Sequence, residues 1–207
     1  MKAVFRAFLL LVAVAIIGGG IAAYAIASRG LSTRVAPSAI ETSIALTMRR
    51  LATPSIVRGA SNPIQPTPEV LEEALAHFAD HCAACHANDG SGNTDIGRSF
   101  YPAAPDMRAT RTQLLSDGEL FSIIENGIRL TGMPAWGTGT AEGERASWGL
   151  VHFVRKLPTL TADELARMET MNPKSPQAFR EEEEARRFLA GDDLSTPVPP
   201  EPSHQHR

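Results

Sequence analysis

The chain is predicted to be all-α, with one membrane-crossing helix ahead of a small helical domain. Three observations carry this. Residues 7–27 hold no charge and one polar tip, Tyr24. Beyond them, apolar residues recur at helical spacing behind recognisable caps. The alternating pattern of a half-buried strand is absent, as is any internal repeat.

Each element follows from its residues. As a helix, residues 7–27 would span roughly 31 Å, enough to cross a bilayer core. Lys2 and Arg6 precede the run and Arg29 follows it. A cleaved secretory signal competes with an anchor, because Ala23-Tyr24-Ala25 and Ala25-Ile26-Ala27 resemble cleavage sites. The run is longer than a typical signal core of about 7–15 residues, which favours the anchor. Residues 28–65 carry five arginines and one acid, Glu41, for a net +4. Ile40, Ile44, Met48 and Leu51 predict an amphipathic helix over 38–52 inside this basic linker. The linker is read as a connector with one docked helix, or as a basic arm on anionic lipid or a partner.

Thr67-Pro68-Glu69 starts a helix expected to run to about His86: a hydroxyl cap, an N-terminal proline, then an acid where the dipole favours it. Residues 87–113, with Gly90, Gly92, Gly97, Pro102 and Pro105, read as one long loop. A second helix begins at Ser116-Asp117 and ends at Gly127. Residues 127–142 form another loop, and a third helix covers about 143–157 with Trp148, Val151, Phe153 and Val154 on its apolar side. Thr161-Ala162-Asp163-Glu164 resembles a capping box for a helix to about Met171. Glu181 to Glu184 followed by Arg186 and Arg187 predicts an exposed helix held by i,i+4 pairs. The domains are therefore 1–27, the anchor or signal; 28–65, the linker; 66–160, the globular domain; 161–194, accessory helices; and 195–207, a proline-rich tail expected to be disordered.

Composition narrows the function. The 207 residues carry a net charge of −3, so no basic field attracts nucleic acid. Two cysteines cannot build a disulfide scaffold or a four-cysteine zinc site. Aromatics are only 6%, thin for a chain filling a core from its own side chains.

Both cysteines fall in Cys82-Ala83-Ala84-Cys85-His86. Helical residues i and i+3 share a face, so two thiols can add to the two vinyl groups of one haem while the histidine reaches its iron. Cys-x-x-Cys-His is the attachment signature of haem c. Three other readings compete. A thioredoxin-like pair expects a βαβ context, and a zinc site would recruit His77, His81, Cys82 and Cys85 from one element. A disulfide between helical positions is sterically awkward. A haem in a carrier needs a second axial ligand, and histidine with methionine raises its potential. Met133 is assigned that role: it follows His86 by 47 residues in Leu130-Thr131-Gly132-Met133-Pro134-Ala135-Trp136, where Gly132 and Pro134 set an irregular backbone. Met107 is its chief rival; Met168 and Met171, on a late helix beyond the expected end of the core, read as packing.

With these motifs, residues 66–160 resemble a single-haem cytochrome c of the class I type. The resemblance implies a haem-enclosing helical domain with long loops, whose thioethers form on Cys82 and Cys85. It implies His86 as proximal ligand and Met133 as distal ligand. It implies that Phe78 packs on the domain's terminal helix, with Trp148 and Phe153 as partners. It also implies that a proline carbonyl, Pro105 first and Pro102 second, accepts the imidazole N–H. Arg98, Tyr101 and Trp136 are expected to hydrogen-bond the haem propionates. The family's usual lysine ring is missing, since Lys156 is the only lysine between 66 and 160. His77 and His81 are read as surface or capping residues, His152 as packed, and His204 and His206 as tail residues.

The domain holds twelve acids against seven bases. An acidic domain on a basic arm suits transient redox protein partners more than a small-molecule substrate. The expected function is electron transfer, not catalysis, on the periplasmic side of a membrane, or in the periplasm after signal cleavage. Two alternatives stand beside a free carrier: a subunit fixed in a larger dehydrogenase or oxidase complex, and a haem enzyme or sensor with an open distal site.

Overall fold

The computed structural model describes residues 2–29, 32–174 and 176–191. The tail from 195, with His204 and His206, lies outside them. Every regular element among the described residues is helical. Helix α1, Lys2–Arg29, contains the apolar span Val4–Ala25, none of which is buried against the rest of the protein.

Helix α2, Ala39–Ala52, starts on a complete capping box between Ser38 and Glu41. Its last turn is closed from outside: the Arg58 guanidinium, on the short helix α3 (Ser55–Arg58), donates to the carbonyls of Arg50 and Thr53. The predicted docked helix is present, but it docks by the opposite face. Thr42, Leu46, Arg49 and Thr53 are half-buried toward the domain. Ile40, Ile44, Met48 and Leu51 are 55–79% exposed. A helix turns about 100° per residue, so these two sets fall on opposite sides of one cylinder.

The linker is sewn to the domain beyond α3. Asn62 donates to the Trp148 carbonyl at 2.9 Å, and the His152 ring nitrogen lies 2.7 Å from the Ile64 carbonyl oxygen. Gly118 lets the Val57 carbonyl close in, since a β-carbon there would sit 1.8 Å from its oxygen. Gly118→Ala should therefore push α3 off the domain. The expected cost is about 1–3 kcal/mol by thermal denaturation, as for other overpacked positions.

The globular part is built on two crossing helices, α4 (Pro68–His77) and α9 (Ala141–Lys156). Gly149 of α9 lies in ordinary contact with Val70 and Ala74, which lets the helices approach closely. Phe78 and Phe153 meet with ring centroids 5.0 Å apart, and each is almost wholly buried. Trp148 does not share that contact. It stacks on Phe121 of α8 (Asp117–Asn126) at 4.1 Å and 10°. Arg155 ties α8 to α9, donating to Asp117 at 2.8 Å and to the carbonyls of Gln113 and Leu115.

Three boundaries differ from the sequence expectation. The helix to His86 is not continuous: after α4 the chain widens into a π turn, Phe78–Cys82, in which the Ala83 N–H reaches back to the Phe78 carbonyl. A short helix α5, Ala83–His86, follows. The wide turn re-aims the side chains after it. Phe78 and Ala79 stay in the core while the cysteines and His86 turn to another wall. The long loop 87–113 contains two short helices, α6 (Asp95–Ser99) and α7 (Thr110–Gln113). Lastly, the core is not complete at residue 160. Met168, on α10 (Ala162–Met171), is fully buried. Lys156 pairs with Glu164, and Arg167 with Glu72 at 2.8 Å, so α10 is clamped to both crossing helices. The capping box predicted at Thr161 and Glu164 is formed. Helix α11, Pro176–Ala190, is the exposed charged helix expected there.

Candidate functional site

The π turn and α5 put Cys82, Cys85 and His86 on the wall of a cavity of about 460 Å3. That wall is held from behind. Thr94, the cap of α6, donates its hydroxyl to the Cys85 carbonyl at 3.2 Å. Gly97 sits so close that a β-carbon would fall 2.1 Å from the same oxygen. His86 closes α5, and Ala87 reverses the chain at φ 60°, a conformation an alanine adopts only where its surroundings hold it there.

The loop after α8 supplies another wall. Gly127, at φ 64°, has the Met133 carbonyl oxygen 2.7 Å from where a β-carbon would be, so this position requires glycine. The Ile128 N–H donates to the Met133 carbonyl at 3.1 Å, and the Met133 N–H donates to the Thr131 hydroxyl at 3.1 Å. Met133 is thus fixed on both sides by its own loop. Gly132 lies flat on the Phe100 ring, and the Trp136 N–H ties the loop back to the Ile124 carbonyl at 3.0 Å. Met133, Pro134 and Trp136 all line the cavity, as do Pro102 and Pro105.

Burial sets the chemistry of the attachment residues. It pushes the Cys82 thiol up to about 12, helped by the neighbouring Cys85, and raises Cys85 as well. Both remain neutral thiols, unlike the depressed thiolates of redox-active pairs, and both are free in this structure. Burial lowers the His86 imidazole, which favours its neutral, ligating form. Among the described residues, no group of three or more His, Cys, Asp or Glu could hold a metal ion, which counts against the zinc reading.

Some expected residues stand elsewhere. Arg98 does not line the cavity; it is exposed and pairs with Asp95 at 2.6 Å and with Asn93. Tyr101 also lies off the cavity and donates its hydroxyl to Glu41 of α2 at 3.1 Å. Pro105 lies on the cavity wall but accepts nothing from His86, whose Nδ1 is buried without a hydrogen-bond partner. His81, read as a surface or capping residue, is half-buried on the cavity wall, 5.5 Å from Trp136 edge to face. Its Nδ1 approaches Asp80 to 2.9 Å but out of line for a hydrogen bond. Met107 is off the cavity and packs against the core.

The cavity also has lining residues that no motif announces. Leu46 and Arg49 reach it from α2, Arg111 from α7, and Phe100 and Ile128 from the loops. Arg49 precedes the attachment histidine by 37 residues and sits in a helix whose apolar pattern points the other way. Only the docked position of α2 reveals it.

A largely apolar cavity of haem-ligand size, with a buried imidazole nitrogen that has no partner and two neutral thiols on one wall, fits a covalently held haem. An all-helical fold closing on such a wall is consistent with a c-type cytochrome domain. Residues 69–154 match the family described as cytochrome C oxidase, cbb3-type, subunit III. No curated protein matches the chain.

Proposed function

We propose that this protein is a membrane-anchored electron carrier with one covalent haem c, exchanging electrons with protein partners on the periplasmic side. The observation that carries the reading is the shared cavity: the Cys-x-x-Cys-His segment and the Met133 loop, 47 residues apart, meet on one wall-lined space. A haem c bound there supplies an iron that accepts and releases one electron. Cys82 and Cys85 would hold the group by two thioethers, and His86 and Met133 would supply its two protein ligands. With the group bound, Pro105 would be the acceptor for the remaining imidazole N–H, a bond this structure does not form, and it would set the basicity of the ring. Trp136, on the cavity wall, would pack against the group. With His86 and Met133 both ligating, the iron would have no open position for a substrate. This supports a carrier over an enzyme or sensor.

Retention of the anchor is supported by two features. Helix α1 has a 22-residue span with no soluble surface against it. The outward stripe of α2, with Ile40, Ile44 and Leu51, begins eleven residues past Arg29 and is the kind of surface a lipid interface covers. Intact mass of detergent-purified protein should show the uncleaved chain plus one haem. A mass lacking the first ~27 residues, the notional cleavage point of a signal, would move the protein to the soluble periplasm.

A second reading is favoured by the matched family, whose description names an oxidase subunit. In that reading the linker and the C-terminal helices fix the domain in a larger redox complex. Haem staining of native gels after mild detergent extraction separates the two. A haem band at the mass of the chain alone supports the carrier, and a band only at higher mass supports the subunit.

A further inference from the structure

The linker contributes more than length. Residues 28–65 lie outside the matched stretch 69–154, yet α2 reaches the cavity with Leu46 and Arg49. It is held there by four separate ties: Tyr101 to Glu41 at 3.1 Å, Arg58 across its last turn, α3 against Gly118, and Asn62 with Ile64 against α9. A helix that merely spaced a domain from a membrane would need none of them.

Within residues 66–160 most arginines are paired. Arg98, Arg108, Arg145 and Arg155 each hold a carboxylate. Arg49 and Arg111, the two cations on the cavity wall, are in no ion pair among the described residues. Arg49 is half-buried, so its guanidinium loses water without gaining an anion. The domain around it carries five more acids than bases. On the cavity wall these are the two side chains that offer a ligand carboxylate a permanent positive charge.

We infer that Arg49 and Arg111 form a carboxylate clamp for the propionates of the bound haem, with α2 as the cover over that edge of the group. The inference rests on the haem reading above and assigns the propionate role to residues other than Arg98 and Tyr101. It makes the linker a part of the cofactor site. Guanidinium suits this task because it carries a permanent positive charge and donates charge-assisted hydrogen bonds to a carboxylate.

The test uses the full-length, detergent-purified holoprotein. Haem content is read first from the absorption of the denatured chain, then the midpoint potential by redox titration. Positive charge beside the haem favours the reduced form, so removing it must lower the potential. Arg49→Leu and Arg111→Leu should each shift the reduced-to-oxidised ratio about tenfold, roughly 59 mV for one electron. Arg49→Lys, which keeps the charge, should recover most of the shift. Should Arg49→Leu fail to accumulate, Arg49→Gln reads the same quantity with a smaller change in packing. Full haem content with unchanged potential in both leucine variants overturns the clamp. So does a fall that Arg49→Lys leaves uncorrected, because that would report lost packing of α2 and not lost charge. Absence of covalent haem from the unmutated protein would instead sink the functional reading itself.

Discussion

Met133→Leu should leave the haem attached but remove the near-infrared absorption band that marks a methionine sulfur on ferric iron. The effect should be all-or-none for the band. The midpoint potential should fall by more than a tenfold shift in the reduced-to-oxidised ratio, about 59 mV, because in the proposed ligation the thioether raises it. The structure gives a reason to expect a clean result. The Met133 backbone is held by Ile128, Thr131 and the close pass of Gly127, not by its side chain. Leucine conserves bulk and apolarity, so the loop should stay in place while the ligand is lost. An unchanged band in this variant would reassign the ligand, with Met107 the next to examine. Carbon monoxide binding should become rapid in the variant; rapid binding by the unmutated protein would point to an open distal site.

The second large effect concerns attachment. Cys82→Ser with Cys85→Ser should abolish the haem stain that survives denaturation, and either single change should leave haem held by one thioether. The consequence should reach the fold. Leu75, Phe78, Val151, Phe153 and Met168 make a core of their own. The cavity wall, in contrast, has little to pack on without the group: Phe100, Ile128 and Trp136 line a space of about 460 Å3. The double variant is expected to keep its helical circular dichroism while the 127–136 and 99–106 loops become sensitive to proteolysis. Full protection of both loops in the double variant would show that the wall needs no ligand to order it.

The parts of this site legible in the sequence are those whose chemistry is local. Cys82, Cys85 and His86 are spaced by one helical turn, and a four-residue period is visible without a fold. The irregular backbone at Met133 is legible because Gly132 and Pro134 flank it. The helix starts at Ser38, Thr67, Ser116 and Thr161 were equally local: each places a hydroxyl three residues before an amide it accepts from.

What escaped the sequence depended on distance in the chain. Arg98 and Tyr101 were reasonable partners by residue type, but Arg98 found Asp95 one turn away and Tyr101 found Glu41 across 60 positions. The π turn at Phe78–Cys82 is a compromise between two walls, which no single period reports. Met168 looked surplus to a finished domain, until Lys156–Glu164 and Arg167–Glu72 brought α10 over the core.

The linker helix shows the division most clearly. Its existence, its cap and its apolar stripe follow from the order of residues over 38–52, because helix periodicity is a property of neighbours. Which side faces the domain does not follow, since an apolar stripe is equally content in a protein core or at a lipid interface. That choice was made by tertiary contacts, the Tyr101 hydroxyl, the glycine gap at Gly118 and the Arg58 clasp. They turn Ile40, Ile44 and Leu51 outward and bring Arg49 to the cavity. By itself, the sequence determined an all-helical chain with an apolar leader and a haem-attachment motif. The packing alone decided which distant side chains complete the site, because burial and charge pairing are settled between segments and not within them.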